Sequence, residues 1–160
     1  MDQLPEFLLH NLMKTRIFTL GTAESCTGGL IASRITDVPG SSAYFLGGVV
    51  AYAYPVKADL LGVAWETLNT HGAVSREVVL EMARGVRTHL HADIAVSVSG
   101  IAGPGGGTDE KPVGMVWLGL VTPGGEWTRL FHFQGDRAKN KASAATEALN
   151  FVVDYLQGRL

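Results

Sequence analysis

Apolar and polar positions fall in blocks along the chain, and the period changes from block to block. Residues 6–14 place Phe7, Leu8, Leu12 and Met13 on one side, which predicts a short amphipathic helix. Residues 16–20 (RIFTL) read as a strand running into the turn GTAESCTGG at 21–29. Leu30, Ile31 and Ile35 predict a helix after that turn, closed by the sequence DVPG at 37–40. Residues 44–52 (YFLGGVVAY) form a second strand, with Gly47 and Gly48 marking a weak point or bulge. Pro55 suits the first turn of a helix over 55–61. The clearest helix covers 75–91, where Ser75 can cap and Val78, Val79, Met82, Ala83, Val86 and Leu90 keep the period.

Residues 93–98 (DIAVSV) are apolar enough for a central strand. A glycine-rich loop at 100–112 follows. Residues 113–121 and 126–133 are two strands separated by TPGG, which predicts an antiparallel hairpin. Asp136 then caps a last helix carrying Ala138, Ala142, Ala145, Leu149, Val152 and Leu156. Strands alternating with helices, then one hairpin, imply an α/β fold: a five-stranded mixed, mostly parallel sheet with helices on both faces. No repeat or linker composition interrupts the chain, so residues 1–160 read as a single domain.

Composition narrows the function. The chain has 160 residues, 46% hydrophobic and 18% charged, enough to bury a core. Thirteen Lys and Arg against fifteen Asp and Glu leave a net charge of −2, so a nucleic-acid partner is not expected. One cysteine excludes an intrachain disulfide and a cysteine-based zinc site. The histidines at 10, 71, 89, 91 and 132 have no metal-ligand spacing, so no metal is expected. The N-terminus, with acids at Asp2 and Glu6, does not resemble a signal peptide, and no apolar run of about 18 residues suggests a membrane span. A cytoplasmic protein is the expectation. Glycine is in excess: twenty residues, against a usual share of roughly 7%.

In a sheet of this kind, ligands bind beyond the carboxyl ends of the strands. Two glycine clusters fall at such places. ESCTGG at 24–29 lies between the first strand and its helix, where unpaired N–H groups suit an anion; Ser25 would face the cleft, or Ser25 and Thr27 simply cap the helix. SGIAGPGGGT at 99–108 is neither a Walker loop nor a dinucleotide fingerprint, and is either a binding loop or a flexible crossover. Lys57, just past a strand end, could serve as a base if desolvated, or be a solvated helix residue. Arg137 beside the cap at Asp136 is an anion ligand or a surface charge. Cys26 competes with Ser25 as nucleophile, or is a small buried hydrophobe. Residue chemistry alone reaches a small phosphate- or nucleotide-like ligand and a possible Ser–Lys site.

The segments AESCTGG (23–29), VPGSSAY (38–44), GGVVAY (47–52), Lys57 with LLGV (60–63), HGAVS (71–75), SGIAGPGG (99–106), KPVG (111–114) and GDR (135–137) resemble the CinA C-terminal-domain family in its stand-alone form. The resemblance implies a three-layer α/β/α sandwich and a nicotinamide-nucleotide amidase. Such an enzyme hydrolyses nicotinamide mononucleotide to nicotinic acid mononucleotide and ammonia, in pyridine-nucleotide salvage. It implies Ser25 as nucleophile with Lys57 and Tyr52 as proton-transfer partners, no cofactor or metal, and commonly a homodimer. On that reading Thr27, Gly28, Gly29, Gly100, Ala102, Gly103, Gly105, Gly106 and Arg137 hold the substrate. A nucleotide-binding or regulatory module without turnover is the alternative. The chain departs from the family pattern at Tyr54, often Asn, at Ser99, often Thr, and at Lys141, where Arg is expected.

Overall fold

The structure, a computed structural model, describes residues 4–160, so the Asp2 end of the N-terminus lies outside it. The elements in chain order are α1 (Pro5–Met13), β1 (Leu20–Glu24), α2 (Leu30–Thr36), a 3-10 turn (Ser41–Ala43), β2 (Phe45–Val50), α3 (Tyr54–Leu61), α4 (Trp65–His71), α5 (Arg76–Leu90), β3 (Ile94–Gly100), β4 (Met115–Thr122), β5 (Gly125–His132) and α6 (Arg137–Leu156). Ser75 caps α5 by accepting the Val78 N–H at 3.3 Å, and Asp136 caps α6 by accepting the Lys139 N–H at 2.9 Å. Both caps are those expected from the sequence.

The five strands form one sheet in the order β2-β1-β3-β4-β5. β1 runs parallel to β2 and β3, while β4 is antiparallel to both its neighbours, so four strands share one direction. The β1–β2 register shifts between Leu20 and Gly21, skipping Leu46, and places an irregularity beside Gly47. Helices α1, α2 and α6 cover one face over a core that includes Ile31, Ile35, Leu149, Phe151 and Val152. Helices α3, α4 and α5 cover the other over Leu61, Leu68, Val78, Met82 and Val86. Apolar surface buried on both faces of one sheet gives three layers. No helix among the described residues is long and apolar enough to cross a membrane.

Three expectations need correction. The first strand lies at 20–24, not at 16–20, and Ile17 is 97% exposed. The alternation in RIFTL reads as a strand, but the central position goes to LGTAE, whose small and polar residues read as turn. Helix α4 was not foreseen, because its seven residues carry no apolar period. In α6 the buried stripe passes through Asn140, Ala144 and Ala148, leaving Ala138 and Ala142 exposed. Alanine is too small to fix the phase of a helix.

The chain leaves β1 toward β2 by one face and returns to β3 across the other, so the β1 and β3 ends flank a crevice at the point where the connections diverge. The wall of that crevice depends on how closely α3 approaches α5. A Cβ on Gly85 would lie 1.9 Å from the Leu61 carbonyl oxygen. Gly85→Ala gains about 1 kcal/mol of helix propensity, yet it must push the end of α3 away. We expect a net loss of about 1–3 kcal/mol, the range for overpacking, measured as a lower urea midpoint with an unchanged slope. An equal or higher midpoint would show that α3 shifts freely.

Candidate functional site

The crevice holds a cavity of about 260 Å³. Ser25, Cys26, Tyr52, Lys57, Ser99, Gly100, Ala102, Gly103, Gly105, Gly106 and Arg137 line it, with Ala73, Val74 and Ile101 closing the remaining wall. Residues from the ends of β1, β2 and β3, from α3 and from the start of α6 therefore meet in one place.

Lys57 is the centre of this arrangement. It projects from α3 and is 1% exposed, among the largest fully buried side chains of the described residues. Its Nζ donates to Ser25 Oγ at 3.0 Å, to the Ala51 carbonyl at 2.7 Å and to the Tyr52 carbonyl at 3.1 Å. Three donors thus meet three acceptors, which is what permits the amine to be buried at all. Burial lowers its pKa from 10.5 to about 8. Loss of a proton is tolerated on one side only. Two carbonyls accept and cannot donate, so a neutral amine keeps N–H groups on them and turns its lone pair to the Ser25 hydroxyl.

Ser25 sits where β1 gives way to α2. Its N–H donates to the Val98 carbonyl at 3.0 Å, which ties the turn to β3. The next turn is shaped by Glu24, a buried carboxylate on the opposite side of the chain. It accepts Thr27 Oγ1 at 2.6 Å and the N–H groups of Gly29, Ile31 and Ala32 at 3.0, 3.1 and 2.8 Å. The α2 N-terminus, expected to receive a substrate anion, is therefore already filled by a charge from the chain itself. Gly28 and Gly29 provide the left-handed turn with φ of 60° and 102°. Thr27, Gly28 and Gly29 do not line the cavity.

The second glycine cluster is different. The N–H groups of Ala102, Gly103, Gly105 and Gly106 donate to no protein acceptor among the described residues. Gly103 and Gly106 have φ of 91° and 87°, and Gly105 has nothing within 4 Å of where a Cβ would be. Bare N–H groups on a left-handed backbone make a concave cradle for an anion. Arg137 closes it, donating Nη1 to the Gly103 carbonyl at 2.7 Å and Nη2 to the Tyr52 hydroxyl at 2.9 Å. The Tyr52 hydroxyl is thus held by Arg137 at the cavity rim. Only the Tyr52 carbonyl, not its phenol, meets Lys57.

Sequence reasoning missed one residue here. Asn140, 1% exposed, accepts the Gly135 N–H at 2.9 Å and donates to the Ala102 carbonyl at 3.0 Å. Its position four residues before Ala144 on the buried stripe was the available signal. Ser99 is buried and lines the cavity, and its hydroxyl makes no hydrogen bond among the described residues. Tyr54 accepts the Ala73 N–H at 3.1 Å and so steadies the Ala73–Val74 wall. Lys141 lies one helical turn beyond Arg137, its Nζ 3.9 Å from where a Gly28 Cβ would be, and it does not line the cavity.

The sequence profile of the CinA C-terminal domain matches residues 2–156. A CinA-like protein of Chloroherpeton thalassium is 51% identical over 149 residues, covering 91% of this chain and 36% of that protein. A CinA-like protein of Thermotoga maritima is 47% identical over 158 residues, covering 99% of this chain and 38% of that protein. The chain thus spans little more than a third of the length of these relatives. Among solved structures, the competence/damage inducible protein CihA of Agrobacterium tumefaciens superposes with a TM-score of 0.90 at 39% identity, covering 98% of this chain and 97% of that one. A CinA superfamily protein of Klebsiella pneumoniae gives 0.92 at 36%, covering 98% and 99%.

The two candidate nucleophiles differ in a way that can be measured. Burial pushes the Cys26 thiol up to about 11, so about one thiol in ten thousand is ionised at pH 7. Native protein should react with a disulfide reagent far more slowly than urea-unfolded protein, with the native rate still climbing tenfold per pH unit at pH 9. A native rate that levels below pH 8 would instead mark Cys26 as an activated thiol.

Proposed function

The chain belongs to the CinA C-terminal-domain family, and from the buried Ser25–Lys57 pair in its cleft we propose that it hydrolyses the carboxamide of nicotinamide mononucleotide to nicotinic acid mononucleotide and ammonia. The observation that carries the reading is the 3.0 Å contact between Lys57 Nζ and Ser25 Oγ, with the rest of that amine held by two carbonyls. The substrate has one anionic group and one amide, and the cavity has one place suited to each. The open N–H groups of the 102–106 backbone with Arg137 suit the phosphate. The Ser25 end suits the carboxamide.

In the proposed reaction, neutral Lys57 takes the Ser25 Oγ proton as the oxygen attacks the carboxamide carbon. The carbonyl oxygen becomes an oxyanion. The Ser25 N–H is committed to Val98 and the Gly28 N–H to the Ser25 carbonyl, so neither can serve it. The Cys26 N–H, which among the described residues has no backbone acceptor and meets only its own thiol, belongs to a residue lining the cavity and is the donor nearest the nucleophile in the chain. Lys57 then returns its proton to the departing nitrogen, which leaves as ammonia. Water, giving a proton to Lys57 in turn, cleaves the ester and releases the acid with Ser25 restored. The role first expected of Tyr52 changes: its phenol orients Arg137 instead of carrying a proton.

Ammonia release from nicotinamide mononucleotide by the purified chain tests this. Ser25→Ala and Lys57→Met should each lower kcat about a thousandfold or more, and Cys26→Ala should keep most activity. With Lys57 near 8, its neutral fraction rises about tenfold per pH unit below that value and levels above it. kcat should therefore climb from pH 6 to 8 and then flatten, and the residual rate of Lys57→Met should lack that limb. Full activity in Ser25→Ala would remove the nucleophile assignment. Saturable binding of the mononucleotide with no ammonia formed by the wild type would make the chain a binding module.

A further inference from the structure

We propose that Asn140 is a positioning residue for the anion end of the cleft, holding the glycine loop in its ligand-ready shape while Arg137 exchanges its protein partners for the ligand. The inference rests on the proposed placement of a phosphate against the 102–106 backbone and Arg137. Two ties join the start of α6 to that loop. The outer is Arg137 Nη1 on the Gly103 carbonyl, at the cavity surface; the inner is Asn140 Nδ2 on the Ala102 carbonyl, behind it. An anion arriving in the cradle competes for the guanidinium, since a charged acceptor outbids a neutral carbonyl. It cannot compete for Asn140, which does not line the cavity and is sealed from solvent.

The chemistry of the side chain fits this division. Asn140 uses both ends of its amide at once, Oδ1 on the Gly135 N–H and Nδ2 on the Ala102 carbonyl. Its own N–H donates to the Asp136 carbonyl at 2.8 Å. The residue thus spans from the turn that launches Arg137 to the loop that supplies the N–H groups. Gly135 leaves no freedom between them, because a Cβ there would lie 2.6 Å from Lys139 Cβ and 3.1 Å from Asn140 Oδ1. Aspartate would keep the acceptor for Gly135 and lose the donor to Ala102, and alanine, which adds no charge beneath the anion site, controls for the carboxylate's own repulsion of a phosphate.

The test compares wild type, Asn140→Ala and Asn140→Asp on nicotinamide mononucleotide and on the phosphate-free riboside, with mononucleotide binding followed by calorimetry. Both variants should raise KM and Kd for the mononucleotide about tenfold, with kcat within twofold and the alkaline midpoint near 8 unmoved. Riboside hydrolysis should stay at the wild-type level in both. A weakened Kd shared by the charge-free Asn140→Ala and by Asn140→Asp, with riboside hydrolysis unchanged, separates positioning from folding and from charge. An unchanged Kd, equal losses on the two substrates, or a shifted pH midpoint would overturn the proposal. If the wild type binds the mononucleotide without releasing ammonia, the amidase reading fails while the Kd comparison still decides the role of Asn140. If it does not bind, both fail.

Discussion

An ammonium group withdrawn from water must be met by acceptors on every proton, and the geometry of this cleft follows from how that is done for Lys57. Two of its acceptors are the carbonyls of residues 51 and 52, just past the end of β2, where the ladder to β1 has stopped and main-chain groups are free to turn. The third is the Ser25 hydroxyl, just past the end of β1. Parallel pairing of β1 with β2 brings those two strand ends side by side, and the bare Gly85 lets α3 sit low enough for its lysine to reach them. An imperfect register would leave a buried charge short of a partner, at a cost of several kcal/mol. The geometry of the Ser25–Lys57 pair and folding specificity are thus the same constraint.

The two glycine clusters resemble each other in composition and differ in use. At 28–29 the glycines bend the chain so that Glu24 can reach back to the α2 N-terminus, and the positive end of that helix is consumed internally. At 102–106 no carboxylate does the same, and the N–H groups of Ala102, Gly103, Gly105 and Gly106, all on residues lining the cavity, have no protein acceptor among the described residues. Gly100 has a further reason to be bare: a Cβ would lie 2.5 Å from Val116 Cγ2 and 2.8 Å from the Met115 carbonyl. One set of glycines makes a cap possible, and the other makes a binding surface possible.

What the sequence made legible follows the same physics. Ser75 and Asp136 are local devices, each bonding an N–H three residues on, so their caps could be read directly. The convergence of Ser25, Lys57 and the 100–106 loop could be anticipated because all follow strand ends. β1 could not be placed, because Leu20–Glu24 is central only through its pairing with β2 and β3, which no local window contains, while Thr22 and Glu24 read locally as turn. The same holds for Asn140, whose two partners lie at Gly135 and at Ala102, the latter 38 positions away. The Tyr52 phenol went to Arg137, 85 positions on, although its main chain lies at Lys57.

The reversal of strand direction at β4 explains why an open loop can exist over this cleft. A fourth parallel strand would need a crossover long enough to carry the chain back across a face of the sheet, usually as a helix. An antiparallel β4 needs only a turn, so residues 101–114 are released from spanning the sheet and can fold over the ends of the strands. Ile101 and Gly114 close the base of that loop by bonding to Met115 and to Ile101 respectively, Lys111 ties its far side to the His71 carbonyl, and α6 holds the 102–103 stretch. Helix α6 supplies Arg137 at the cavity surface and Asn140 beneath it, one turn of helix serving both contact and support. The hairpin, the least parallel part of the sheet, is therefore what lets the parallel part present its strand ends to a ligand.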